Sequence, residues 1–307
     1  MEQTPPVDNA PHSYITNTKT KHSRTGWHVA FGLFVGLPAV LFWMTFGLVF
    51  LGVMSLLGGT DDERYCNVAR VPLHGIVTSA GDGFQELLGL GMLSSADDFT
   101  AAVVDAAQDE YIDAIFVDID SPGGTPVGGD EMMSALQAAE KPVVAVVRDL
   151  GASAAYWAAA GADHIIASPV SNVGSIGVTM SYLETASSTE TEGSRWVDLS
   201  SGFYKDAGNP ERPLSEMEEE HFKGQVNVVH DYMVQRIAEA RNSLTQAQVA
   251  QLADGRAYVG VEALELGLID ALGGFQEGRM WVAQQTGMSV DEVVLCEPYA
   301  SGWEALF

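Results

Sequence analysis

The sequence predicts an α/β fold, a mainly parallel sheet flanked by helices and preceded by one transmembrane helix. Three observations lead there. From residue 69 onward, short apolar β-rich runs alternate with helix-spaced segments, the signature of repeated strand–helix–strand units. The run Pro142 to Val147, PVVAVV, is apolar throughout, as a strand covered on both faces of a parallel sheet must be. No Asp, Glu, Lys or Arg occurs between Thr25 and Thr60, a stretch longer than the roughly 20 apolar residues that cross a bilayer.

The apolar run comes first in the chain. Its core is Val29 to Leu57, with Pro38 as a kink site. Lys19, Lys21 and Arg24 precede it, while Asp61, Asp62 and Glu63 follow it. That asymmetry orients the N-terminus to the cytoplasm and the bulk of the chain to the far side of the membrane. A cleaved signal peptide fits less well, because the run is long and lacks a small-x-small cleavage site. The expected organisation is a flexible tail at 1–27, an anchor at 28–57, a linker at 58–68, a folded domain at 69–290 and a C-terminal extension at 291–307.

The folded part then reads in order. Ala69 to Val77 is strand-like, with Pro72 arguing for an edge or an irregular start. Asp97 to Gln108 has helical spacing. Ile112 to Ile119 is β-rich and runs into Ser-Pro-Gly-Gly, a turn signal. Asp130 to Ala139 is helical, Pro142 to Val147 a buried strand, Ala152 to Ala160 a small-residue helix, and His164 to Ala167 another strand. Ser187 to Ser194 is polar and loop-like. Ser215 and Glu218 form a capping box before a long helix with Phe222, Val226, Val229, Met233 and Ile237 on one face. Short helices follow near Gln246 to Leu252 and Val261 to Leu266.

Composition narrows the function classes. The chain has 307 residues, is 47% hydrophobic and carries 15 basic against 41 acidic residues, a net of −26. It can bury a core, and so acidic a surface repels nucleic acid. Cys66 and Cys296 lie in no CxxC or Cys/His cluster, so neither a metal nor another cofactor is expected. Both follow the anchor. They pair if their compartment is oxidising and otherwise remain two thiols, and the sequence leaves both open.

Three small-residue motifs sit at strand ends, where parallel sheets gather ligands. They are Asp120-Ser121-Pro122-Gly123-Gly124, Gly151-Ala152-Ser153-Ala154-Ala155 and Val173-Gly174-Ser175-Ile176-Gly177. Ser153 follows a strand and opens a helix, which sets its hydroxyl near amides able to stabilise an oxyanion. Gly123 and Gly124 can offer a bare backbone N–H. Taken singly, each has a plainer reading, an N-cap serine and a turn. A nucleophilic serine needs a base. His74, His164, His221 and His230 lie in no motif, and His221 and His230 read as surface positions on the long helix. Lys141 and Lys223 read as solvated. Lys205, in Ser201-Gly202-Phe203-Tyr204-Lys205-Asp206, taken alone is a loop lysine.

Together these segments resemble the signal peptide peptidase A family of Ser/Lys peptidases, which have the ClpP/crotonase-like fold. The matching words are VDIDSPGG, KPVVAVVRDLGASAAYWAAAGADHIIASP, NVGSIGV, SGFYKDAGNPERPLSEMEEE and LADGRAYVGVEALELGLIDALGG, in family order from about Ala69 to about Thr286. The resemblance implies Ser153 as nucleophile, Lys205 as general base, Ser175 as a support for the lysine, and an oxyanion hole of Gly124 and the Ala154 amide, with Gly123 supporting it. A lysine acting as base must lose its proton near neutrality, which takes a fall from about 10.4 to roughly 7–8. Phe203 and Tyr204 are the expected source of that desolvation. Ala154 and Ala155 stand where the family has two glycines, and their methyls are expected to narrow the site or restrict the backbone.

The resemblance further implies a homo-oligomeric ring, with Lys205 serving its own or a neighbour's Ser153. It implies hydrolysis of short hydrophobic peptides, such as signal peptide remnants, on the outer face of a bacterial inner membrane. Two rivals are a crotonase-like acyl-CoA enzyme, which leaves Lys205 unexplained, and a catalytically inactive scaffold or binding subunit of a membrane complex.

Overall fold

A computed structural model of the chain describes residues 66–81 and 93–296. The anchor expected at 28–57 lies outside them. Among the described residues no helix is long and apolar enough to cross a membrane.

The elements are β1 (Val68–Thr78), β2 (Leu93–Ser95), α1 (Ala96–Gln108), β3 (Ala114–Gly124), α2 (Pro126–Ala138), β4 (Val143–Ala152), α3 (Ala154–Ala159), β5 (His164–Ala167), β6 (Asn172–Gly174), α4 (Ala186–Thr191), α5 (Glu216–Ala240), α6 (Gln246–Leu252), β7 (Ala257–Val259), α7 (Gly260–Glu265), β8 (Ala271–Leu272) and α8 (Phe275–Thr286). The main path of the sheet is β2-β1-β3-β4-β5-β8, all parallel, while β6 pairs with β4 and β7. Among the described residues only the β6–β7 pair is antiparallel. Pro72 is tolerated because β2 pairs only with Ile76 to Thr78, so the flank of β1 at Pro72 has no ladder partner among the described residues.

Both faces of the sheet are covered. One packs on α1, α2 and α3 through residues such as Leu73, Ile119, Val147, Met132 and Trp157. The other packs on α8 through Val68, Phe116, Val144, Val146 and Val282. This explains the unbroken apolar run of β4: its alternate residues enter different cores.

The helices start where the sequence signals them. Ser95 and Thr125 cap α1 and α2 with their side chains, and Ser215 with Glu218 closes a full capping box on α5. Lys141 is not a free surface charge. Its ammonium caps the C-terminal end of α1 by donating to the carbonyls of Ala106 and Asp109.

The two ends of the domain are tied together. Cys66 and Cys296 form a disulfide with a Cα separation of 4.9 Å. Beside it, Asn67 N–H donates to Val294 O and Cys296 N–H to Val68 O. Residues on either side of the expected 69–290 span thus take part in the fold.

Candidate active site

Three adjacent strands end in irregular backbone at one level. The β1–β3 register shifts between His74 and Ile76, and the β3–β4 register shifts between Ile119 and Ser121. Ser121, fully buried, organises this level: its hydroxyl donates to Gly75 O and accepts from Gly123 N–H. Gly123 is thereby held at φ 92°, with its Cα backed against the Ser153 turn. A Cβ there would fall 2.6 Å from Ala152 O and 2.7 Å from both Ala154 N and Ser153 Cβ, so only glycine fits. Gly124 is exposed, and a Cβ on it would overlap Val77 O at 2.0 Å.

Ser153 joins β4 to α3 with φ 55° and ψ −124°. A left-handed φ in a non-glycine residue costs of order 1–3 kcal/mol and persists only where the surroundings impose it. Here Ser153 N–H donates to Gly174 O at 2.7 Å and Ser153 O accepts from Trp157 N–H at 2.9 Å. The strain matches a serine displayed on a sharp strand-to-helix turn rather than a side-chain cap, and Ser153 makes no capping hydrogen bond. Ala154 N–H is the first helical amide of α3 and has no carbonyl four residues back to bond.

The two alanines do not narrow the site. Ala154 and Ala155 are 2% and 0% exposed and turn into the core. Room for the Ala154 methyl comes from Gly129 on α2: a Cβ at Gly129 would approach the Ala154 methyl to 3.1 Å. A side chain given up on one helix accommodates the methyl on the other.

Ser153 opens onto a cleft of about 340 Å³ walled by Ser175, Gly177, Val178, Thr179, His230 and the loop Ala253 to Gly255. Ser175 is also left-handed, with φ 47°. Its N–H donates to Arg256 O and its hydroxyl to Gly255 O, both at 3.0 Å. Because the hydroxyl proton is committed to Gly255, the lone pairs of Ser175 Oγ remain to accept a hydrogen bond in the cleft.

Ser153, Ser175, Gly123 and Ala154 are therefore gathered at one place, with Gly124 next in the chain against Val77 of β1. Lys205 is not among the residues that wall the cleft. It is exposed, in a turn where its N–H donates to Gly202 O. The source of desolvation expected from the sequence is also lacking within one copy, since Phe203 and Tyr204 are 58% and 45% exposed. The turn itself is anchored. Asp206 accepts from Trp196 Nε1, Asn209 Nδ2 and Arg212 Nε. Arg212 in turn forks onto Glu218 with contacts of 2.6 and 2.9 Å. Arg212, followed by the Ser215 amide, holds the Glu218 carboxyl down at about 2.

Sequence reasoning missed Ser121, Gly129 and His230. The clue to His230 was present: it stands four residues after Val226 and three before Met233, on the inward stripe of α5.

A second polar cluster lies beneath the same three strands, on the α8 face. The Asp118 carboxylate is fully buried, 2.7 Å from Arg70, 3.2 Å from His74 Nε2 and 3.6 Å from Arg148. Burial alone would raise its pKa, but His74 and Arg70 outweigh that and hold it below the ordinary carboxylate value. The guanidiniums of Arg70 and Arg148 both lie over the Phe275 ring, at 5.3 and 4.8 Å from its centroid.

The chain is similar in sequence to known peptidases. A family model described as peptidase family S49 matches residues 135–289. A candidate protease of Methanocaldococcus jannaschii is 32% identical over 192 residues, covering 62% of this chain and 61% of that protein. The chloroplastic serine protease SPPA of Arabidopsis thaliana is 32% identical over 184 residues, 59% of this chain and 27% of that protein. Protease 4 of Salmonella typhi is 30% identical over 187 residues, 59% of this chain and 29% of its own length. The chain thus matches less than two thirds of the length of these relatives. A solved structure of a ClpP1 point mutant from Listeria monocytogenes aligns with a TM-score of 0.44 and 17% identity, over 68% of this chain and 94% of that one.

Proposed function

The chain belongs to peptidase family S49, and from that premise we propose that it is a membrane-anchored serine endopeptidase with Ser153 as nucleophile and Lys205 as general base. The observation that carries the reading is the strained Ser153, packed against Gly123 and facing Ser175 across a cleft.

In the proposed reaction the Lys205 amine takes the proton of Ser153 Oγ as that oxygen bonds to the peptide carbonyl carbon. The Gly124 and Ala154 amides receive the oxyanion. The C–N bond breaks as the Lys205 ammonium returns its proton to the leaving amine, leaving an acyl-enzyme. Water, deprotonated by Lys205, releases the acyl group and regenerates Ser153. Ser175 Oγ, its proton held by Gly255, accepts an N–H from the lysine and turns the nitrogen lone pair toward Ser153.

Lys205 serves the Ser153 of a neighbouring copy in this reading. Its exposed position away from the cleft supports that arrangement. So does the segment that bears it: Met180, Leu183, Trp196, Val197, Leu199 and Phe203 are all exposed, Leu199 at 93%. Apolar surface of this extent marks an interaction site, and a head-to-tail contact of this kind closes into a ring. Docking would also desolvate Phe203, Tyr204 and the lysine between them and the cleft.

The domain acts outside the cytoplasm, held at the membrane by residues 28–57, where it meets short hydrophobic peptides such as signal peptide remnants. The Cys66–Cys296 disulfide supports an oxidising compartment. Labelling with a fluorophosphonate probe, alongside hydrolysis of signal-sequence peptides, tests the function. Wild type is expected to label at Ser153 and to cleave, and Ser153→Ala to do neither. A folded, assembled wild type that does neither would instead be the inactive scaffold.

A further inference from the structure

We infer that His230 is a positioning residue for the catalytic lysine, acting through the loop that closes the Ser153 cleft. The inference rests on the Ser/Lys reading above. Loop residues Ala253 to Arg256 are held by two elements. On one side Ser175 Oγ and N–H donate to Gly255 O and Arg256 O, and Gly255 N–H donates to Ile176 O. On the other side the Ala253 carbonyl is bonded by His230 Nε2 on α5, at 2.8 Å. Gly255 takes φ 87°, so the loop is a tight left-handed turn whose path depends on these tethers.

The chemistry of the His230 bond is decided by its acceptor. A carbonyl can only accept, so Nε2 carries the proton and, in the neutral ring, Nδ1 carries the lone pair. Nδ1 lies 3.6 Å from Asp231 Oδ1 on the same helix. On the loop the facing charges are Asp254 and Arg256, which pair with each other. Protonation of the ring adds a donor toward Asp231 and leaves Nε2–H on Ala253 O. The tether therefore persists in both charge states: it is a fixed pin and not a pH switch.

The pin sets the Gly255 carbonyl, the Gly255 carbonyl orients the Ser175 hydroxyl, and that hydroxyl presents its lone pair to the incoming lysine. Losing the pin frees the loop, lets Ser175 rotate its proton into the cleft and admits water around the amine. Water favours the charged amine. The acidic limb of the pH–rate profile should therefore move to higher pH.

The test uses the full-length assembled protein with His230→Ala, His230→Gln and wild type, each checked for melting temperature and oligomeric size. For His230→Ala the expectation is a fall in kcat of about 10-fold or more, the scale of effect that small misplacement of reacting groups produces. KM should change much less than kcat, because the loss falls on the alignment of the lysine and not on ground-state binding. The acidic limb should rise, and His230→Gln, whose amide N–H can reach the same carbonyl, should restore both. Wild-type kinetics with an unmoved profile in His230→Ala, beside an active wild type, overturns the inference alone. A rate loss in both variants with no movement of the profile also overturns it, since that is the mark of general structural damage. A folded but inactive wild type overturns the peptidase reading and the inference together.

Discussion

Replacing Asp118 with asparagine removes a fully buried charge without changing the shape of the side chain. Among the described residues its carboxylate is the one anion paired with Arg70, His74 and Arg148, at 2.7, 3.2 and 3.6 Å. In the variant, two guanidiniums stacked on one Phe275 ring lose their counter-charge. Breaking a buried ion pair from one side costs about 3–5 kcal/mol. Arg70 and Arg148 keep 28% and 50% of their side-chain exposure, so water recovers part of this. We expect a loss of about 2 kcal/mol, or roughly 4–8 °C in Tm for a domain of this size. The pH dependence has a fixed sign. Because the folded carboxyl titrates below its unfolded value of 3.8, its stabilisation is complete above that pH and is lost as pH falls through the folded value. The gap in Tm between wild type and Asp118→Asn should therefore be full at pH 7 and narrow only as pH falls below 3.8, measured by calorimetry on matched samples. No gap at pH 7, or one that widens on acidification, would refute the electrostatic account of this cluster.

Gly123→Ala forces a methyl to 2.6 Å from Ala152 O; displacement of the nucleophile turn should lower kcat/KM by roughly 100-fold, with Ser153 labelling falling in parallel. Reduction, or a Cys66→Ser and Cys296→Ser double variant, opens a tie spanning 230 residues of sequence and should cost about 3–5 kcal/mol in urea unfolding; equal stability with and without reductant would mean the bond does not form. Glu218 is held down at about 2 by Arg212 and then by the Ser215 amide; its contribution is present above its unfolded value of 4.5 and is lost as pH falls toward 2. Glu218→Gln should mimic that loss at pH 7, read as faster tryptic cleavage at Lys205, and an unchanged rate would argue that the latch carries no load.

Local patterning made the scaffold legible. PVVAVV, the helix-spaced runs and the Ser215–Glu218 box each become the expected element because burial on two faces, amphipathicity and capping are properties of short sequence windows. The sharp turn at Ser153 follows from its place between a buried strand and a small-residue helix, while its role comes only from the resemblance. What escaped depends on contacts between distant segments. Nothing near Ala154 tells that Gly129 makes room for its methyl. Arg70, His74 and Asp118 are brought together only by the β1–β3 register, which no short window encodes. His230 was read as surface because its stripe on α5 was counted from the large apolar residues, and a histidine pinned to a carbonyl lies on the same stripe. The place of Lys205 relative to the Ser153 cleft was not legible either, because the cleft is walled by other segments of the chain.

The central claim is a nucleophile and a base supplied by different copies, and mixing two inactive variants tests it directly. Ser153→Ala and Lys205→Ala are prepared separately, dissociated, combined in equal amounts and reassembled before peptidase activity is measured. In a head-to-tail ring, a site is competent when its serine comes from the lysine variant and its lysine from the serine variant. Random mixing should therefore restore about one quarter of wild-type activity. Mixed rings that form fully and remain as inactive as either parent would contradict the account.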